Sequence, residues 1–369
     1  MTTFGFLVRE HLDRLLDALR TDGYRCVGPV VQDGTIQYRD LPNAQALPSG
    51  WRDSQAPGRY RLAYSDSPRQ FAWANGPQAL KPFLFAPRET LWRVARDALG
   101  ALSFKAASPA TQALAFIGVR ACDLAALRLQ DAHFVQGQFQ DAQYSARRDG
   151  LFLVAVNCTH PAATCFCVST GDGPEAADAD CDLILDELDN GYVVHSVSER
   201  GGRLAEQLGL LPVTAAQELQ IDQQRQQARD AQTRTLPARD LRPLLESRLE
   251  HPRWLEVAAR CLSCGNCTSV CPTCFCHSEH EQPQLDGQGS VHYREWDSCF
   301  TQGHSYIHGI TVRADTRLRY RQWLTHKLAA WHDQYGRSGC VGCGRCLSWC
   351  PVGIDLTEEI AALAQEHAP

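Results

Sequence analysis

The sequence predicts an α/β or α+β amino-terminal domain built on a mixed sheet, residues 1–235, followed by a mostly helical, cysteine-rich domain over 236–369. Three observations lead there. Leu114–Val119 and Leu151–Val156 are short apolar runs, each followed by a polar loop, as in buried parallel strands. Asp33-Gly34 and Asp189-Asn190-Gly191 lie between apolar segments and signal antiparallel hairpins. Two cysteine runs with one shared spacing, starting at Cys261 and Cys340, mark a second unit.

In chain order, residues 6–20 read as an amphipathic helix with Phe6, Leu7, Leu12, Leu15, Leu16 and Leu19 on one side. Residues 24–31 and 35–38 are the arms of the first hairpin. The segment 41–57 is rich in Pro, Asn, Ser and Gly and reads as loop. Residues 59–64 and 70–74 read as short strands, and 88–99 as a helix. The run 114–119 leads into Arg120-Ala121-Cys122-Asp123 and a helix over 124–130, and 151–156 leads into Asn157-Cys158. Sites in parallel α/β sheets lie just beyond the carboxyl ends of strands, and both loops place a cysteine there. Residues 182–188 and 192–196 are the arms of the second hairpin. Helices are expected over 202–209, 214–232 and 240–259, with the domain boundary near the polar stretch 217–234. A last helix starts near Leu356, capped by Asp355 or Thr357.

With 369 residues and 44% apolar content, the chain can bury two or three cores. A net charge of −6 gives no reason to expect nucleic acid or an anionic membrane as partner. Arg9, Glu10, Asp13 and Arg14 interrupt the first apolar residues, so no export signal is expected, and no run has the length of a membrane span. Seventeen cysteines then point to thiols held for metal in a reducing cytoplasm. No Gly-x-Gly-x-x-Gly follows a strand, and there is no phosphate loop or haem-attachment Cys-x2-Cys-His. The chain thus offers no recognisable flavin, nicotinamide or covalent haem site of its own.

The two runs are Cys261-x2-Cys264-x2-Cys267-x3-Cys271-Pro272 and Cys340-x2-Cys343-x2-Cys346-x3-Cys350-Pro351. This is the ferredoxin-like arrangement for two 4Fe–4S clusters, in which three thiolates come from one tight loop and the fourth from the other run. The expected sets are Cys261, Cys264, Cys267 and Cys350 for the first cluster, and Cys340, Cys343, Cys346 and Cys271 for the second. A lone Cys-x2-Cys reads as zinc, but zinc has no use for the third cysteine of each triplet.

Cys122, Cys158, Cys165 and Cys167 gather at neighbouring strand ends and suit a third 4Fe–4S cluster; a zinc site or separate buried thiols are the alternatives. Cys274, Cys276 and Cys299, with His277 and His304 near in sequence, show no evident fourth ligand and are expected in structural or supporting roles. Cys26 and Cys181 are expected to be buried and inert. Asp123 either supports Cys122 or caps the following helix. Arg317, Arg319 and Arg321, with Arg313 before them, would share one face of a strand, either solvated or placing positive charge beside the clusters. No Ser/His/Asp or paired-carboxylate pattern stands out, so no catalytic residue is assigned.

At Gly118-Val119-Arg120-Ala121-Cys122-Asp123, the Cys158 to Cys167 loop ending Cys-Phe-Cys, Cys271-Pro272-Thr273-Cys274-x-Cys276, Trp296-Asp297-Ser298-Cys299 and Cys340-Val341-Gly342-Cys343-Gly344-Arg345-Cys346, the chain resembles a known family. It is similar to the beta subunits of cytoplasmic sulfhydrogenases, the NAD(P)-linked nickel–iron hydrogenases, and to the related iron–sulfur subunit of anaerobic sulfite reductase. The resemblance covers most of the chain and implies an electron-transfer role within a complex, with no activity alone. Its implied neighbours are a flavin- and NAD(P)-binding subunit, with nickel–iron large and small subunits, or a sirohaem subunit in the sulfite-reductase branch. The first-domain cysteines and Cys274, Cys276 and Cys299 all fall on family motif positions, which favours the third cluster. One departure is visible: His308-Gly309-Ile310-Thr311 stands where the family tends to have Gly-Gly-His-Asn. A stand-alone iron–sulfur carrier is the remaining alternative.

Overall fold

The computed structural model describes residues 4–109, 112–238 and 240–365. The strands bearing on the site are β1 (Phe4–Val8), β2 (Arg25–Gln32), β3 (Thr35–Asp40), β4 (Trp51–Ala56), β5 (Arg59–Tyr64), β6 (Arg88–Arg96), β7 (Leu102–Ala106), β8 (Leu114–Val119), β9 (Leu151–Val156), β10 (Leu183–Leu188), β11 (Gly191–Ser196), β12 (His277–Pro283) and β13 (Gly289–Trp296). Seven of them form one mixed sheet in the order β1-β11-β10-β9-β8-β2-β3. Its centre is parallel, with β8 between β2 and β9, and β10 beside β9. The two expected hairpins, β2–β3 and β10–β11, supply antiparallel pairs, and Asp33 and Gly34 take the positive φ that the first turn demands.

Both faces of this sheet are covered, so its central strands are apolar throughout. The helix Leu12–Thr21 packs Leu12, Leu15, Leu16 and Leu19 on one face, with Leu204 and Leu208 beside them. The helix Ala121–Phe134 packs Leu124, Leu127 and Phe134 on the other, against Phe116 and Leu153. A separate apolar core of Trp254, Tyr320, Trp323, Leu324, Leu347 and Ile360 organises the carboxyl-terminal helices.

Several sequence expectations are corrected. The helix expected over 6–20 begins at Leu12, because Phe6 and Leu7 belong to β1, which pairs along β11. The helix expected over 88–99 is strand β6, where exposed and half-buried positions interleave across Thr90, Trp92 and Val94. The loop 41–57 contains β4, which pairs with β5 around Pro57-Gly58. Residues 70–74 form no strand: the main-chain N–H groups of Gln70 and Phe71 donate to the Glu187 carboxylate at 2.6 and 2.9 Å instead of a neighbouring strand. The helix expected over 240–259 is two helices, Arg242–Ser247 and Arg253–Arg260, separated by a segment ending at Pro252.

The carboxyl-terminal part is also less purely helical than expected. β12 and β13 form a hairpin that extends onto β6 and β7 in a four-stranded antiparallel sheet. Strands from both sides of position 235 therefore share one sheet. Arg294 of β13 anchors it, reaching Glu89 of β6 and Asp141.

Candidate iron–sulfur sites

The first cysteine run follows the helix Arg253–Arg260 directly. Ser263 and Gly265 adopt positive φ, 50° and 72°, and this coils the three thiols of Cys261, Cys264 and Cys267 into one turn. These three line a cavity with Cys350 and Cys346, walled by Phe300, Tyr320, Trp323, Leu347, Ile354 and Leu356. Cys346 and Cys350 of the second run thus lie at the same cavity as the thiols of the first. Cys350 Sγ accepts from the Ile354 N–H at 3.3 Å, and Cys261 Sγ accepts from the Ser263 N–H at 3.4 Å.

The second run repeats the coil, with Gly342 and Gly344 at φ 62° and 74°. Burial raises the Cys346 thiol well above its ordinary range, and the neighbouring Cys340, Cys343 and Cys271 add to the rise. Burial also pushes Cys340 up to about 12. Cys271 behaves in the opposite sense. A hydrogen bond with Cys274 holds it well below the thiol range, and the Lys327 ammonium reinforces this against its burial. Lys327 Nζ lies 3.3 Å from Cys271 Sγ.

The first-domain thiols come together too. Cys122 opens the helix after β8, Cys158 follows β9, and Cys165 and Cys167 lie on the next loop. All four line one cavity with Asn75, Arg120, Gln232 and Cys343. Gln232 Nε2 lies 3.3 Å from Cys167 Sγ. Burial raises all four thiols, Cys167 to about 12. This site abuts the second run: Asn75 donates to the Cys343 carbonyl at 2.8 Å, and Phe166 N–H donates to the Gly342 carbonyl at 2.8 Å.

Three buried cations stand beside these thiols without a carboxylate partner among the described residues. Arg120, 2% exposed, donates to the Phe71 carbonyl and lies over the Trp73 ring at 4.2 Å, while its Nε has no hydrogen-bond partner. Lys81 donates to the carbonyls of Thr268 and Ser269, at 3.3 and 3.1 Å. Lys327 reaches Cys271 and Thr273. A buried cation needs a countercharge, and thiolates around an anionic group supply one. The donor sets therefore fit 4Fe–4S clusters. Among the described residues, no three His, Cys, Asp or Glu side chains close around a single ion.

The remaining thiols are placed less simply. Cys274 lies against Cys271, and Cys276 lies beside His304 and near Cys299. His304 Nδ1 is 3.3 Å from Asp297 Oδ2. These three cysteines line neither cavity described above. Cys26 and Cys181 are buried in the sheet's two cores, as expected. Asp123 neither caps a helix nor supports Cys122 directly; it is paired with Arg345. The arginine stretch is not a strand: Thr316–Thr325 is a helix, on which Arg317 and Arg321 face Glu250 and Arg319 donates to main-chain carbonyls. A positive charge 3.3 Å from a thiol belongs instead to Lys327, which sequence reasoning missed. A signal was present: the chain has only three lysines among its 36 basic residues, and two of them are buried beside the cysteines.

No helix among the described residues is long and apolar enough to cross a membrane. Residues 260–354 match the family described as a 4Fe-4S dicluster domain. Over 280 residues the chain is 28% identical to sulfhydrogenase 2 subunit beta of Pyrococcus furiosus, a match covering 74% of this chain and 79% of that protein. No solved structure matches the chain. The chain is therefore similar along most of its length to a sulfhydrogenase beta subunit, and its cysteine-rich carboxyl-terminal part matches a 4Fe–4S dicluster domain.

Proposed function

We propose that this chain is the iron–sulfur electron-transfer subunit of a cytoplasmic, NAD(P)-linked nickel–iron hydrogenase complex. The observation that carries the reading is the cavity where Cys261, Cys264 and Cys267 of one run meet Cys350 of the other. A bound 4Fe–4S cluster supplies reversible one-electron transfer and nothing more. Cys261, Cys264, Cys267 and Cys350 would hold one, and Cys340, Cys343, Cys346 and Cys271 a second. Cys122, Cys158, Cys165 and Cys167 would hold a third. Phe300, Tyr320 and Trp323 line one wall of the first site, and Asn75 ties the first-domain loop to the Cys343 main chain. No proton-transferring side chain is needed for this role. The partners in this reading are the nickel–iron large and small subunits and a flavin- and NAD(P)-binding subunit.

Anaerobic purification of the native complex tests this. Iron and acid-labile sulfide should each reach about twelve per chain for three clusters, or about eight for two. Nickel and flavin should co-elute. An iron-free chain, or one holding only zinc, would refute the reading, and a co-eluting sirohaem protein in place of nickel would move it to a sulfite reductase.

A further inference from the structure

The two cysteine runs share their spacing and their coil, yet their sulfurs have different surroundings. In the first set, the donors to sulfur are neutral main-chain amides: Ser263 N–H to Cys261 and Ile354 N–H to Cys350. In the second, Cys271 Sγ has the Lys327 ammonium at 3.3 Å. That ammonium is held in place. Its Nζ also lies 2.9 Å from Thr273 Oγ1, and Thr273 spends its own proton on the Gly339 carbonyl at 2.8 Å. Thr273 Oγ1 therefore accepts from Lys327, and the contact between Thr273 and Cys271 at 3.2 Å brings no hydroxyl proton to the sulfur. The Cys274 thiol and the Lys327 ammonium are left as side-chain donors to Cys271, and of the two only Lys327 brings positive charge. It is 4% exposed, it has no carboxylate partner among the described residues, and it lies on a π-helical turn, His326–Ala330, that interrupts the helix carrying it. Such turns concentrate at functional positions. Lys81 brings a second buried ammonium to the same corner, over the Trp296 ring at 3.9 Å.

We propose that Lys327, oriented by Thr273 and assisted by Lys81, sets the cluster held by Cys340, Cys343, Cys346 and Cys271 at a higher reduction potential than the cluster held by Cys261, Cys264, Cys267 and Cys350. The inference rests on the cluster assignment above. A charge-assisted hydrogen bond to a ligand sulfur favours the more negative, reduced state, and fixed positive charge acts in the same direction. Two otherwise matched sites thereby become unequal, and an electron entering the chain settles at the second site, which also abuts the first-domain thiols.

Potentiometric titration of the anaerobic full-length protein, followed by electron paramagnetic resonance, tests this alongside iron and sulfide counts. Lys327→Gln should lower the reduction equilibrium constant of one centre at least about tenfold, equal to about 59 mV for one electron. The other centres should keep theirs, and iron content should stay at the wild-type value. Thr273→Val, which leaves the ammonium in place but unanchored, should shift the same centre in the same direction by less, and it reads the proposal if the glutamine variant loses that centre. Unchanged potentials in both variants, with iron intact, would overturn the role of Lys327 and leave the cluster assignment standing. Absence of iron from the wild-type chain would remove the cluster assignment itself.

Discussion

Arg345 and Asp123 meet at 2.6 Å, each with a side chain only 1% exposed and 222 residues apart in the chain. The pair joins the helix that carries Cys122 to the short helix Arg345–Ser348, which carries Cys346 and directly follows Cys343 and Gly344. Arg345 Nε also donates to the Gly76 carbonyl at 2.9 Å. One ion pair thus fixes the first-domain thiols against the second cysteine run.

Removing one partner leaves the other charge buried and alone. Asp123→Ala is expected to destabilise the protein by about 3–5 kcal/mol, and the Asp123→Leu, Arg345→Met double variant by much less. Chemical unfolding followed by circular dichroism under anaerobic conditions measures both. A loss below about 1 kcal/mol in Asp123→Ala would show the pair to be dispensable.

Gly342 lies where the two cysteine-bearing loops cross. Its φ is +62°, and an added Cβ would stand 2.6 Å from the main chain of Cys167 and Phe166. Gly342→Ala therefore combines left-handed strain of about 1–2 kcal/mol with a main-chain clash. Lower stability and loss of iron are both expected, whereas Gly287→Ala, at φ +69° with nothing near its Cβ, should cost strain alone. Equal iron contents in the two variants would contradict the close approach.

The proposed first-domain cluster makes its own prediction. Cys165→Ser should lower iron and sulfide by about four each per chain, leaving about eight. Cys26→Ser, at a thiol buried in the apolar core that donates to the Leu16 carbonyl at 3.7 Å, should leave the count unchanged. An unchanged count in Cys165→Ser would remove the third site.

His133 is stacked on Phe275 at 3.6 Å and bonded to the Tyr335 hydroxyl at 2.8 Å. Burial, with His277 nearby, lowers it from 6.5 to about 4. The unfolded chain therefore binds a proton between these values that the folded chain does not, so stability falls as pH drops from 6.5 toward 4 and levels off below. His133→Phe should flatten this slope while keeping the ring stack. Denaturant midpoints from about pH 8 to about pH 5 would show it, and equal slopes in the two proteins would rule it out.

Much of this is legible in the sequence because it is local. The spacing of each cysteine run dictates a coil that presents three thiols in one turn, whatever surrounds it. The hairpins at Asp33-Gly34 and Asp189-Asn190-Gly191 and the apolar runs that form β8 and β9 are likewise encoded within a few residues. Strand β6 escapes such a reading because a charged, half-exposed strand carries a weak local pattern, and β13, one of its two pairing partners, lies far along the chain while β7 pairs on its other edge.

The sequence by itself determined which thiols are available and how they are spaced: two matched cysteine runs, a set of strand-end thiols, and a mixed sheet to carry the latter. Only the tertiary structure decided what faces each sulfur. Lys327 reaches Cys271, Arg120 and Asn75 border the first-domain thiols, and Asp123 locks Arg345. Ligand spacing is a property of one short loop, whereas the charge around a buried sulfur is the sum over every element packed against it. No short window of the sequence contains that sum.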